Sequence, residues 1–117
     1  MAEAILYLLK SDFNDPEYGD TPFYCPACLK VEGLLSMFPK IRQELDVRYV
    51  DFTRPRGDLP GYTGDRQGCP HIVLPDGDDT HSADLSEAGV GDVRRIEKDE
   101  DIFSYLINRF GVSHPHP

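Results

Sequence analysis

The chain of 117 residues holds three cysteines, and two of them stand close together in Phe23-Tyr24-Cys25-Pro26-Ala27-Cys28-Leu29-Lys30. The apolar pattern after Cys25 is helical, so its sulfur falls at a helix start, among backbone N–H groups that have no intrahelical partner. The positive end of the helix dipole favours an anion there, which stabilises a thiolate and lowers the thiol pKa. A thiolate is the nucleophile of disulfide exchange, and a second thiol one turn on can resolve the mixed disulfide. Pro26 suits the first helical turn, where its missing N–H costs nothing. A C-x-x-C alone equally begins a zinc site or a knuckle turn. Its position between a strand and a helix raises exchange above those readings. Cys69-Pro70 is expected to face the pair across the fold.

Three chemistries stay open for these residues. The first is dithiol–disulfide exchange, in which Cys25, Cys28 and Cys69 could pass a disulfide among themselves. The second is a zinc or iron–sulfur site, because three thiolates plus His71 or His81 would fill a tetrahedral set, although the spacing selects no particular metal. The third is a non-catalytic binding or regulatory module in which the cysteines are small buried hydrophobes. Arg54, Arg56 and Arg66 are candidates for holding an acidic partner, with solvated loop charge as the bland reading. His81 reads as a surface residue.

The elements that must position the sulfurs follow from the apolar pattern. Ala4 to Leu9 is a continuous apolar run of strand length, as a strand buried on both faces reads. Lys10 to Tyr24 loses the pattern; Pro16, Gly19 and Pro22 punctuate an acidic loop holding Asp12, Asp15, Glu17 and Asp20. Val31, Leu34, Leu35, Phe38, Ile41 and Leu45 recur at near-helical spacing. Gly33 suggests close packing against a neighbour, and Pro39 predicts a break near Phe38. Asp46 to Phe52 reads as a second strand, parallel to the first through the crossover helix. Thr53 to Gly68 is a long loop, or holds a short helix around Asp58 to Tyr62. Cys69 to Leu74 is a third strand, Pro75 to Asp79 a hairpin turn, and Thr80-His81-Ser82 the start of the antiparallel return. Asp99, Glu100 and Asp101 suit the first turn of a last helix whose apolar face is Ile102, Phe103, Leu106, Ile107 and Phe110, ended by Gly111.

Composition bounds the rest. The length suits one domain, assigned here to residues 1–112 with 113–117 as a disordered tail. The segment Met1 to Leu9 lacks the features of a signal peptide, no apolar run is long enough to span a membrane, and an odd cysteine count fits a reducing compartment. A cytoplasmic protein is expected. The net charge of −9 disfavours nucleic acid and anionic membrane as partners.

The order strand, C-x-x-C helix, strand, loop, X-Pro strand, hairpin strand, helix resembles the thioredoxin superfamily in its compact glutaredoxin-like form. Tyr24-Cys25-Pro26-Ala27-Cys28 with Lys30 and Leu34-Leu35 is similar to the glutaredoxin active-site helix, and Cys69-Pro70 with Asp76-Gly77 to the cis-proline loop and hairpin. His81-Ser82-Ala83-Asp84 is similar to the segment that holds the γ-glutamyl end of glutathione. The chain also resembles a small, uncharacterised bacterial thioredoxin-like family. It departs from the glutaredoxin pattern in placing Lys10 fifteen positions before Cys25, behind the acidic insertion, and in carrying His81-Ser82 where paired glycines are usual.

The resemblance implies a thioredoxin-like α/β fold, a four-stranded mixed sheet flanked by helices, with Cys25 attacking and Cys28 resolving. It further implies a cis Pro70, backbone groups at Cys69 that pair with an extended partner, and a substrate surface drawn from Tyr24, Cys69, Pro70 and Ser82. The expected activity is that of a thiol–disulfide oxidoreductase. Its partners would be protein disulfides or glutathione, the latter as a co-substrate; a monomer without resident cofactor or metal is expected.

Overall fold

The computed structural model describes residues 3–117; Met1 and Ala2, the start of the segment read above for a leader, lie outside the described residues. Period-two alternation decides the first strand, β1 (Ile5–Leu9): Leu6 and Leu8 point into one core, Ile5 and Tyr7 into another. β1 pairs parallel with β4 (Asp46–Val50) and antiparallel with β5 (His71–Leu74), which pairs in turn with β7 (Arg94–Ile96). A two-residue strand, β6 (Glu87–Ala88), closes the edge, giving a five-stranded mixed sheet in the order β4-β1-β5-β7-β6. The sheet therefore has one strand more than the four the sequence suggests. Two further short strands, β2 (Phe13–Asn14) and β3 (Pro22–Phe23), form a separate hairpin within the acidic segment.

Among the described residues four α-helices cover the sheet: α1 (Pro26–Met37), α2 (Lys40–Glu44), α3 (Leu59–Thr63) and α4 (Asp99–Phe110). The larger core joins Val31 and Leu35 of α1, Ile41 of α2 and Ile102, Leu106 and Phe110 of α4 to Leu6, Leu8, Ile72 and Ile96. The smaller core, on the opposite face, joins Leu59 of α3 to Ile5, Tyr7, Val50 and Val73. The Tyr7 hydroxyl donates to Asp58 at 2.7 Å, and Arg48 pairs with the same carboxylate, so the start of α3 is tied to the sheet.

Pro39 divides the crossover as the pattern predicts, with α1 ending at Met37 and α2 restarting at Lys40. Gly33 does not mark a close approach: a Cβ there would meet nothing within 4 Å. The acidic segment is held by aromatic rings, with Phe13 stacked on Phe52 at 4.5 Å and Tyr18 edge-on to Phe23 at 5.7 Å.

The expected return strand at Thr80-His81-Ser82 is not formed. The chain turns at Gly77, whose φ of 76° favours glycine and whose Cβ would collide with the Asp92 carbonyl. Residues 78–86 then satisfy their backbone locally: Asp78 accepts from the Thr80 N–H, and the Ser82 carbonyl from Leu85 and Ser86. The strand that pairs with β5 is Arg94–Ile96, in which Arg95 is buried because its guanidinium donates to the Ala88 carbonyl and to Glu97. Gly111 caps α4 with φ 65°, and Ser113–Pro117 lie exposed without helix or strand.

Truncating Leu35, 1% exposed, to Ala should destabilise the protein by about 2–5 kcal/mol. Met37→Ala, on the open side of the same helix at 74% exposure, should change stability by no more than about 0.5 kcal/mol. Urea midpoints of the two variants check the contrast; equal losses would contradict the assignment of the α1 faces.

Candidate functional site

Cys25 is the N-cap of α1. Its backbone is extended (φ −80°, ψ 117°), and its sulfur accepts the Cys28 N–H at 3.2 Å. Pro26 occupies the first helical position, so the donors left to meet the sulfur are the N–H groups of Ala27 and Cys28. The Cys25 thiol is held down to about 6. Hydrogen bonding from the Cys28 side chain is the largest cause, burial opposes it, and the two backbone N–H groups add to the lowering. Asp99, at the first turn of α4, pulls the other way by charge.

Cys28 lies one turn inside, 4% exposed within the larger core, and its sulfur accepts the Leu9 N–H at 3.5 Å. Its thiol is pushed well above the ordinary range, first by its hydrogen bond with Cys25 and then by burial. The two thiols thus divide into one that ionises easily and one that holds its proton. All three cysteines are free thiols.

Cys69 approaches from the other side. The Cys69–Pro70 bond is cis, and the Cys69 carbonyl oxygen lies 3.7 Å from the Cys25 sulfur, within reach of the thiol hydrogen. Burial pushes the Cys69 thiol up to about 11, with Arg56 and Arg54 partly offsetting it. Pro70 is buried. Tyr24, 56% exposed, shares a cleft of ≈ 80 Å³ with Cys25, Cys28, Leu29 and Glu32.

Ser82 is not brought to the sulfurs. It sits, buried, in the turn beside Asn108, which donates to the His81 carbonyl near the C-terminal end of α4. Asp99, which acts on Cys25, is nine residues earlier on that helix, about 13 Å along its axis at 1.5 Å per residue. The physical reason is the excursion of residues 78–92, which carries His81-Ser82 away and leaves Glu97-Lys98-Asp99 at the sheet end near the thiols. Among the described residues no group of three or more His, Cys, Asp or Glu is placed to hold a metal ion. His71 is instead buried, its Nδ1 bonded to the Gly68 carbonyl at 2.9 Å.

Residues the sequence reading undervalued form the support of Cys69. Arg56 is 8% exposed rather than solvated: its guanidinium donates to the Phe52 and Gln67 carbonyls, both at 2.9 Å, and lies over the Phe52 ring. Its backbone N–H donates to the Gln67 side chain at 2.8 Å. Glu97 accepts from Arg66 and Arg95 and packs so close to Gly68 that a Cβ there would displace its carboxylate. No sequence signal distinguishes Arg56 from its exposed neighbour Arg54, because both lie in one aperiodic Pro- and Gly-rich stretch.

The chain belongs to the family described as protein of unknown function, DUF3088, whose model matches residues 3–114. No curated protein and no solved structure matches it.

The rate of thiol alkylation at Cys25 should rise with a midpoint near pH 6, against ~8.5 for a free thiol. Cys28→Ala should raise that midpoint and Asp99→Asn should lower it. Because the folded-state pKa is depressed, Cys25 stabilises the reduced protein fully above the unfolded pKa, and this contribution is lost as pH falls through about 6. The stability difference between wild type and Cys25→Ser should therefore grow from pH 6 to about 8.5, which urea titrations at several pH values would measure. An alkylation midpoint at or above that of a model thiol would contradict the site as described.

Proposed function

We propose that this protein is a thiol–disulfide oxidoreductase of glutaredoxin-like type, built on a thioredoxin-like fold. The observation that carries the reading is the Cys25 sulfur at the α1 N-terminus, accepting the Cys28 N–H at 3.2 Å with the Cys69 carbonyl 3.7 Å away. A parallel strand pair joined through the C-x-x-C helix, with antiparallel strands added on the other side, supports the fold half of the reading. So does the distribution of helices, α1 and α4 on one face and α3 on the other.

In the proposed cycle the Cys25 thiolate attacks one sulfur of a substrate disulfide. The other substrate sulfur leaves with the electron pair, and a mixed disulfide remains on Cys25. Cys28 then surrenders its proton and attacks the Cys25 sulfur, releasing the second substrate thiol and closing a Cys25–Cys28 disulfide. An attacking thiol with a pKa near ambient pH is close to the optimum for this step, since a lower pKa would weaken the nucleophile. The protected proton on Cys28 keeps the resolver idle until Cys25 becomes an electrophile.

Substrates of this reading are protein disulfides or glutathione disulfide, handled by a monomer in the cytoplasm. An extended partner would lie along the Cys69 backbone, whose carbonyl faces the reacting sulfur. Glutathione would rest its carboxylates on Arg54, exposed beside Cys69, and not on Ser82. Among the described residues no helix is long and apolar enough to cross a membrane.

Trapping tests the cycle. The double variant Cys28→Ser with Cys69→Ser should accumulate covalent mixed disulfides with proteins or glutathione in acid-quenched cells, and Cys25→Ser should accumulate none. Mass spectrometry of the two variants reads the result. Equal adduct levels in both would remove exchange at Cys25 and leave the scaffold reading.

A further inference from the structure

Cys69 is the one thiol that this cycle leaves without a task, and its setting is unusually well fixed. Three successive carbonyls of its loop are each held by a side chain from a different part of the fold. The Arg66 carbonyl accepts from the Thr63 hydroxyl at 2.6 Å, the Gln67 carbonyl from Arg56 at 2.9 Å, and the Gly68 carbonyl bonds His71 Nδ1 at 2.9 Å. The next carbonyl, that of Cys69, faces the Cys25 sulfur. The loop, and not the Cys69 side chain, therefore sets how near this residue stands to Cys25.

The side chain itself is loosely held. Its sulfur lies 4.0 Å from the Gln67 carbonyl and within bonding reach of the Arg56 guanidinium, and a thiol is a weak donor and acceptor. Rotation between staggered χ1 positions sacrifices little and sweeps the sulfur about a Cα already beside Cys25. Cys69 is only partly buried, between the two cores, whereas Cys28 is 4% exposed beneath α1. Burial raises both thiols, but Arg56 and Arg54 favour the Cys69 thiolate, and nothing comparable faces Cys28.

We propose that Cys69 is a second resolving thiol for Cys25, so that a mixed disulfide on Cys25 is released as a Cys25–Cys69 disulfide as well as a Cys25–Cys28 one. The proposal rests on Cys25 being the nucleophile of the cycle above. The Cys69 thiolate attacks the Cys25 sulfur of Cys25–S–S–R; the bond to R breaks, and R–S⁻ leaves with the electron pair and takes up a proton. The Cys28 thiolate then attacks the Cys25 sulfur in Cys25–Cys69 and expels Cys69 as a thiolate beside Arg56 and Arg54. With the opening attack of Cys25 on the substrate, these two steps oxidise Cys25 and Cys28 by two electrons and reduce one substrate disulfide to two thiols, with Cys69 regenerated.

The test uses the full chain as Cys28→Ala, reduced and then treated with excess hydroxyethyl disulfide, acid-quenched and mapped by mass spectrometry. The expected product is lighter than the reduced chain by two hydrogens, with the Cys25 and Cys69 peptides joined and no hydroxyethylthiol retained. Adding Cys69→Ser should convert it to a stable hydroxyethyl adduct on Cys25. A Cys28→Ala protein that keeps the adduct and forms no internal link overturns the proposal. Wild type run alongside separates the two readings: an internal Cys25–Cys28 disulfide there with no link in Cys28→Ala sinks only the second resolver. Neither adduct nor disulfide in wild type sinks the nucleophile and the resolver together. If Cys28→Ala does not fold, rapid-quench mapping of wild type decides instead: a transient Cys25–Cys69 link supports the proposal and its absence overturns it.

Discussion

The arrangement turns on the contact of Cys28 with the sulfur of Cys25 at the start of α1, made through the Cys28 side chain first and through its backbone N–H as well. A hydrogen bond to a charged acceptor is worth about 1.5–3 kcal/mol, whereas an exposed charge at a distance contributes about 0–1 kcal/mol. That comparison decides how a thiolate is stabilised in a chain of net charge −9 with Glu32 and Asp99 close by. The favourable groups touch the sulfur; the acids act across solvent and are screened. Pro26 sharpens the effect by fixing the helix start without an N–H of its own, which leaves Ala27 and Cys28 as the donors.

The rest of the fold serves that contact from two sides. From below, Leu6, Leu8, Val31 and Leu35 seat α1 on the sheet, and the Leu9 N–H steadies the Cys28 sulfur. From across, Arg56, Thr63 and His71 hold the loop before Pro70 so that the Cys69 carbonyl meets Cys25. Arg56 joins the two roles, because a buried guanidinium that ties backbone also supplies charge beside the Cys69 thiol. The acidic segment is not a loose flap, since Phe13 stacked on Phe52 anchors it to the end of β4.

Much of this was legible in the residues. The apolar runs at Ala4–Leu9 and His71–Leu74, the periodic stripe through Leu35 and Ile41, and the acid-first, glycine-last signature of the final helix each correspond to an element. What failed failed for a physical reason. Strand β7 is written Arg94-Arg95-Ile96, and a buried arginine satisfied by Ala88 and Glu97 carries no apolar signal. Thr80-His81-Ser82 follows a genuine turn at Gly77, yet its polar side chains and backbone close local turns instead of a ladder. Ser82 entered the candidate site through the likeness of His81-Ser82-Ala83-Asp84 to the segment that holds the γ-glutamyl end of glutathione, whereas the structure places it in the turn beside Asn108. Arg56 was missed because burial of a loop arginine depends on carbonyls contributed by Phe52 and Gln67, which no local pattern announces.

The central claim is that the sulfurs perform exchange, and a thiol count tests it most directly. Protein purified without oxygen should show three free thiols. After brief treatment with a small symmetric disulfide and removal of reagent, the account predicts one remaining thiol and no small thiol retained on the chain. Three thiols that stay unreactive until the protein is denatured would contradict it.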